Sequence, residues 1–215
     1  MSLPAILVNY NFTPKWLSDY EDIFPITILD KSDDGVERDL EQYGEVIKCA
    51  NIGQVDYSKI SYLVDNYDNL PNTFLWAKTN IYKFISKPEF ELVKHNQFFT
   101  PLLTQFHVTY TDGAGWVNYY EDGWYWERNN DWYVNQFQPG YFRRFKDFAR
   151  AFDLPSPPYI PFAPGGNYIL TKEKVHKYPK SYYEKMRNLL PYCREPVEAQ
   201  MCERSYGLMW EDRRA

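Results

Sequence analysis

Apolar and polar positions alternate along the first 80 residues in blocks rather than singly. Ala5-Ile6-Leu7-Val8 runs into Asn9 and Tyr10, a short apolar stretch of the kind that forms a buried parallel strand emptying into a loop. Ile26-Thr27-Ile28-Leu29 repeats the pattern and passes into the polar turn Asp30-Lys31-Ser32-Asp33-Asp34-Gly35. Val46-Ile47 and an Asn51-Ile52-Gly53 turn follow. Ile60, Leu63, Val64 and Tyr67 then fall at i, i+3, i+4 and i+7, one face of an amphipathic helix. Asn69-Leu70-Pro71 stops that helix, and residues 73–77 (Thr-Phe-Leu-Trp-Ala) read as a third buried strand ending in Lys78-Thr79-Asn80. Strands alternating with helices predict an α/β fold with a central, mostly parallel mixed sheet flanked by helices.

The second half has a different texture. Residues 105–110 read as a strand leading into the Asp112-Gly113-Ala114-Gly115 turn, and residues 116–137 are crowded with aromatics and Asn. Phe142, Phe145, Phe148, Ala149 and Phe152 predict a short helix. Residues 154–164 carry five prolines and predict an irregular, extended segment. Gly165-Gly166-Asn167 precedes a strand over residues 168–170. Ser181 with Glu184 forms a capping-box pattern for a helix through Leu190, and Pro196 suits the first turn of a last helix through about Tyr206. With no internal repeat or low-complexity linker, a single domain over residues 1–215 is expected, its nucleotide-binding half at about 1–100 and its sugar-binding half at about 101–215.

Composition narrows the function classes. Against 24 Lys and Arg stand 29 Asp and Glu, a net charge of −5 without a basic block, which argues against nucleic acid as a partner. Three cysteines, Cys49, Cys193 and Cys202, make neither a disulfide framework nor a zinc knuckle. No apolar run approaches the roughly 20 residues of a membrane span. Met1-Ser2-Leu3-Pro4 lacks the basic start of a signal peptide, so a cytoplasmic location is expected.

In open parallel sheets, ligands bind beyond the carboxyl ends of the strands, where strand order reverses. Three such ends are polar here: Asn9, Tyr10 and Asn11; Asp30 and Lys31; and Lys78, Thr79 and Asn80. They suit a nucleotide, with a ring for the base, a carboxylate for ribose and a lysine for phosphate. The alternative is that loops at strand ends are simply polar. Neither GxGxxG nor GxxxxGK[ST] occurs, which removes the main support for dinucleotide oxidoreductases and P-loop enzymes. Over residues 116–126, Trp116, Trp124, Tyr125 and Trp126 are interleaved with Asn118, Glu121 and Asp122. Aromatic planes beside hydroxyl-binding groups are what a saccharide cleft needs, while a β-hairpin with an aromatic core face explains the same pattern.

The candidate carboxylates are Asp112, Glu121, Asp122, Glu195, Glu198 and Glu203, with Glu195 and Glu198 three apart on one face of the last helix and Glu203 pointing elsewhere. His95, His107 and His176 match no metal spacing.

The strand over residues 5–11, the Asn51-Ile52-Gly53 turn before a helix ending Asp65-Asn66-Tyr67-Asp68-Asn69-Leu70-Pro71, the strand over 73–77, the Gly165-Gly166-Asn167-Tyr168-Ile169-Leu170 segment and the closing Glu198-Ala199-Gln200-Met201-Cys202-Glu203-Arg204 together resemble small nucleotide-sugar glycosyltransferases of GT-A type. Among these are chlorella-virus enzymes that build the glycan of a major capsid protein, which would put this chain in the host cytoplasm. The resemblance covers nearly the whole chain. It implies a GT-A-like domain, a UDP-sugar donor, Mn²⁺ or Mg²⁺ on the diphosphate, and a hydroxyl of a glycan or glycoprotein as acceptor. The sugar would be a hexose, glucose or a relative such as rhamnose. It also implies nucleotide contacts from Asn9, Tyr10, Asn11, Asp30, Gly53, Lys78, Thr79 and Asn80, and sugar or acceptor contacts from Gly165, Gly166 and Asn167 beside the aromatic segment.

One departure concerns the metal. The family's strand matching residues 73–77 ends in Asp-x-Asp, whereas this one ends in Lys78-Thr79-Asn80, and Gln200 stands near where the family has a metal-binding His. Either diphosphate and neutral oxygens hold the cation, or Asp112 or a C-terminal Glu reaches it, or the cation matters less. Asp112 is the first candidate for catalytic base or metal ligand, followed by Glu203 and Glu198. The rival readings are a carbohydrate-binding module without chemistry and, fitting less well, a glycoside hydrolase with paired carboxylates.

Overall fold

The computed structural model describes residues 2–33, 39–104, 118–121, 123–138 and 140–211. Within them a six-stranded sheet is ordered β3-β2-β1-β4-β9-β5, built from β1 (Ala5–Asn9), β2 (Ile26–Asp30), β3 (Glu45–Lys48), β4 (Thr73–Lys78), β5 (Thr100–Pro101) and β9 (Tyr168–Thr171). Strands β3, β2, β1 and β4 are parallel, and β9 lies antiparallel between β4 and β5. The expected mostly parallel α/β sheet is what the chain forms.

Side-chain alternation shows why the central strands are continuously apolar. Ile6, Val8, Phe74, Trp76, Tyr168 and Leu170 join the hydrophobic cluster on one face, where α1 (Gln54–Asp65), α5 (Lys180–Arg187) and α6 (Val197–Trp210) pack. Ala5, Leu7, Leu75, Ala77 and Ile169 join the cluster on the other face, with Trp16, Leu17, Tyr20, Ile81 and Phe90, the last from α2 (Lys87–Val93). Strands buried on both sides must be hydrophobic at every position. The first cluster draws on both halves of the chain, from Ile6 to Trp210, so one core spans them.

A second, antiparallel sheet, β6-β7-β8, is made of β6 (Tyr119–Glu121), β7 (Trp124–Arg128) and β8 (Tyr159–Phe162). α6 lies against β8 so closely that a Cβ on Gly207 would sit 2.0 Å from the Pro161 carbonyl oxygen. The remaining helices are α3 (Phe145–Ala151) and α4 (Lys172–His176). Among the described residues no helix is long and apolar enough to cross a membrane.

Several local expectations are corrected. The proline-rich segment contains β8, because Pro161 lies on an edge strand where a missing N–H costs no ladder bond. The Ser181–Glu184 capping box does not form: Pro179 is the N-cap of α5 and Ser181 is already inside the helix. α1 starts at Gln54, ahead of its apolar stripe, and Tyr67 belongs to a separate 3-10 turn (Tyr67–Asn69). α6 continues to Trp210 and begins after Glu195, so Glu195 and Glu198 share no helical face. The predicted strand at 105–110 and the turn at 112–115 lie outside the described residues.

Candidate functional site at the mouth of the parallel strands

β1 lies between β2 and β4, so the crossovers leave it in opposite directions and open a crevice beyond its carboxyl end. Asn9 forms the floor and is fully buried. Its Nδ2 donates to Asp30 Oδ1 (3.0 Å) and Ser32 Oγ (3.2 Å), and its Oδ1 accepts from Thr79 Oγ1 (2.7 Å). Asp30 is also ion-paired with Lys48. Burial raises the Asp30 carboxyl, but the bonds from Lys48, Ser32 and Asn9 outweigh it and leave the group below its usual range. Asn9, Asp30 and Thr79 thus spend these groups on each other as a satisfied polar network.

The adjoining loop is more open. Tyr10, 42% exposed, donates to Asp33 Oδ2 (2.9 Å) and accepts from Arg194 Nη2 (2.6 Å), whose guanidinium carbon lies 5.2 Å from the tyrosine ring centre. Asn11, at φ +50°, donates to the same Asp33 oxygen at 2.9 Å. Gly53 sits at φ +61°, and its N–H is used by the Cys193 carbonyl (2.9 Å). A Cβ there would fall 2.4 Å from Tyr57 Cβ, so packing accounts for this glycine. Lys31, which burial pulls down to about 8, points its ammonium at the Ile52 and Gln54 carbonyls.

At the other side of the crevice, β4 ends against the Gly165-Gly166-Asn167 turn. The Lys78 N–H donates to Asn167 Oδ1 (2.8 Å). The Lys78 ammonium lies 5.3 Å from the Phe84 ring centre and makes no hydrogen bond or ion pair among the described residues. Gly165 and Gly166 have φ of +88° and +64°. The Gly165 N–H donates to Glu203 Oε1 on α6 (2.7 Å), and the Gly166 carbonyl accepts from the buried Lys59 Nζ on α1 (2.6 Å). Asn167 Nδ2 and Asn80 Oδ1 are buried without a partner among the described residues.

Behind the turn lies a charged cluster absent from the sequence-based candidates. Asp56 Oδ1 accepts from Tyr206 Oη at 2.7 Å. Burial, then the Glu203 carboxylate, raises the Asp56 carboxyl; burial, against the pull of Asp56, lowers the Lys59 ammonium. Beside them Gln54 Oε1 accepts from Gln200 Nε2 (2.8 Å), and Arg204 forms a bidentate pair with Glu127 (2.6 and 3.0 Å). The one sequence signal for this cluster is that Asp56 and Lys59 precede Ile60 and Leu63 by four residues, the same helical stripe.

The other predicted residues fare differently. Glu203 faces the crevice, its side chain 14% exposed and its Oε2 3.8 Å from Arg204. Glu198 is fully buried and accepts from the Tyr141 N–H (2.5 Å), the Phe142 N–H (3.1 Å) and Tyr192 Oη (2.6 Å), bonds that anchor the segment before α3 to the start of α6. Trp124 belongs to the core, its ring centre 5.6 Å from that of Phe99, and Tyr125 is buried against Phe162. Trp126 is half-buried and stacks on Tyr119 at 5.8 Å. Strand alternation therefore turns Trp124 inward, and the expected saccharide platform is not formed by it or by Tyr125. Asp112 and Trp116 lie outside the described residues.

Among the described residues no group of three His, Cys, Asp or Glu side chains comes together that could hold a metal ion. A cavity of about 670 Å³ opens at the opposite end of β1 and β4, where these strands begin, lined by Ser2, Leu3, Asn72, Thr73, Lys94 and His95. There Lys94 (2.9 Å) and His95 (3.2 Å) are already taken by Asp22, so its charged groups are less available than those of the crevice. No family model, curated protein or solved structure matches this chain.

Proposed function

We propose that the chain is a GT-A-type glycosyltransferase that moves a hexose, glucose or a relative such as rhamnose, from a UDP-sugar to a hydroxyl of a growing glycan. The acceptor would be carried by a glycoprotein, a viral capsid protein in the host cytoplasm if the resemblance extends that far. The observation that carries the reading is the meeting of Lys78, the Gly165-Gly166-Asn167 turn and Glu203 at the switch point of the sheet. A cation and a proton acceptor there flank a glycine turn packed closely against Phe84.

In this reading the exposed Tyr10 ring, backed by Arg194, receives the base, and Asn11 with Asp33 faces the ribose. The bond between the sugar's C1 and the diphosphate oxygen breaks with its electron pair leaving on the diphosphate. The acceptor oxygen bonds to C1, and its proton passes to a carboxylate. Glu203 is the described candidate for that carboxylate, with Oε1 anchored on Gly165 and Oε2, 3.8 Å from the Arg204 guanidinium, turned to the acceptor; Asp112 remains the other. Charge that appears on the diphosphate only as the bond breaks is where a fixed ammonium lowers the barrier.

Thermal unfolding in the presence of UDP, GDP and CMP tests this. A ligand at 100 times its dissociation constant adds about 2.7 kcal/mol, which for a chain of this size raises the midpoint by roughly 5–11 °C. A shift of that order with UDP alone is expected. Stabilisation by oligosaccharide with none by any nucleotide would instead establish a binding module without chemistry.

A further inference from the structure

The resemblance implies a divalent cation on the diphosphate, and the crevice is built otherwise. The end of β4, which borders β1 at the switch point, offers an ammonium, a hydroxyl and an amide in place of two carboxylates. The hydroxyl of Thr79 is spent on Asn9, which leaves Asn80 Oδ1, buried without a partner among the described residues, as a single neutral oxygen. Of the nearby carboxylates, Asp56 is enclosed by α1 and α6 and bonded to Tyr206, while Glu203 has one oxygen committed to Gly165. A dication placed there would share the crevice with the Lys78 ammonium, a like charge.

The Lys78 ammonium, by contrast, is available and positioned. Its backbone is tied to Asn167, and its Nζ lies over Phe84, whose ring edge would stand 2.8 Å from a Cβ on Gly165. The charge therefore lies beside the glycine turn, within the field of the buried Asp56 but in ion-pair contact with no carboxylate among the described residues. We infer that the Lys78 ammonium binds and neutralises the donor's diphosphate in place of a divalent cation, so that nucleotide binding and transfer proceed in the presence of a chelator. Lys78 contributes hydrogen bonds and charge and gives up no proton; the electron pair of the broken C1–O bond stays on the diphosphate. This inference rests on the glycosyltransferase reading.

The test is UDP and uridine binding by calorimetry, in EDTA and in Mn²⁺, with wild type, Lys78→Met and Lys78→Arg, each checked for folding by its thermal transition. The expected UDP dissociation constants in the two media agree within about threefold. Lys78→Met weakens UDP by about tenfold or more but uridine by less than about twofold, and Lys78→Arg restores most of the loss. Tightening of UDP by about tenfold on adding Mn²⁺, or unchanged UDP binding by a folded Lys78→Met, overturns the inference and leaves the glycosyltransferase reading standing. Failure of UDP to bind in either medium overturns both.

Discussion

Glu198→Ala separates an anchor from a catalyst. The carboxylate accepts three hydrogen bonds, from the Tyr141 and Phe142 N–H groups and from Tyr192 Oη, and lies in the first turn of α6, where the helix dipole favours negative charge. Hydrogen bonds to a buried charge contribute about 1.5–3 kcal/mol each. Tyr141 and Tyr192 are partly exposed, so water recovers some of that when the side chain is removed. Discounting each bond to about 1 kcal/mol gives a loss of roughly 3 kcal/mol, or about 6–12 °C in the midpoint for a chain of this length.

Glu198→Gln keeps an acceptor for the two backbone donors and should lose about half as much. Glu195→Ala, an exposed residue ahead of the helix, should change stability by less than about 0.5 kcal/mol and serves as the control. The assay is thermal unfolding at pH 7 followed by circular dichroism, with UDP-sugar turnover measured well below the midpoint. A Glu198→Ala protein that melts within about 2 °C of wild type yet has lost turnover would refute the anchoring role and return this carboxylate to the chemistry.

Gly207→Ala should destabilise by about 1–3 kcal/mol or more in urea unfolding, because the added methyl meets the Pro161 carbonyl and the Trp124 ring where α6 crosses β8. Asp56 supplies a pH dependence. Burial, then Glu203, raises its carboxyl above the ordinary 3.8, so the folded state holds more protons than the unfolded one as pH climbs from 3.8 through the raised value, and stability falls across that window. Asp56→Asn should remove this slope, seen as urea midpoints that converge or cross those of wild type as pH rises, and parallel profiles would refute it.

The central strands were legible because burial on both faces forces every position to be apolar, as in Ala5-Ile6-Leu7-Val8 and Phe74-Leu75-Trp76-Ala77. The first turns of α1 were not, because its inward stripe there carries Asp56 and Lys59, which compensate each other and the Gly166 carbonyl across 107 residues of sequence. β8 was hidden by Pro161, tolerated only because the strand is an edge, a fact of topology rather than of local sequence. In the crevice the polar strand ends could be named from the chain, but not which of them were spent. Asn9 and Thr79 are 70 residues apart, and Glu198 finds its backbone donors 56 and 57 residues away. For Trp124 the two readings of an aromatic run differed only in which face the hairpin turns to the core, and that depends on Phe99 and Tyr168.

The closure of so many polar groups on one another bears on how the crevice would work. A network such as Asn9–Asp30–Thr79 cannot reorient toward a ligand without breaking bonds, so it fixes the ends of β1, β2 and β4 relative to each other. Against that fixed floor, Lys78 and Glu203 share one support: the first is held through Asn167 and the second through Gly165, two residues apart in the same turn. The turn thus touches both the end of β4 and α6, through backbone whose positive φ values at Gly165 and Gly166 side chains rarely adopt. A group that receives negative charge and a group that receives a proton gain most from being placed before the substrate arrives, since no reorganisation is then left for the reacting state. In the proposed transferase, the tight Gly165 approach to Phe84 and the lysine over the same ring would supply that placement.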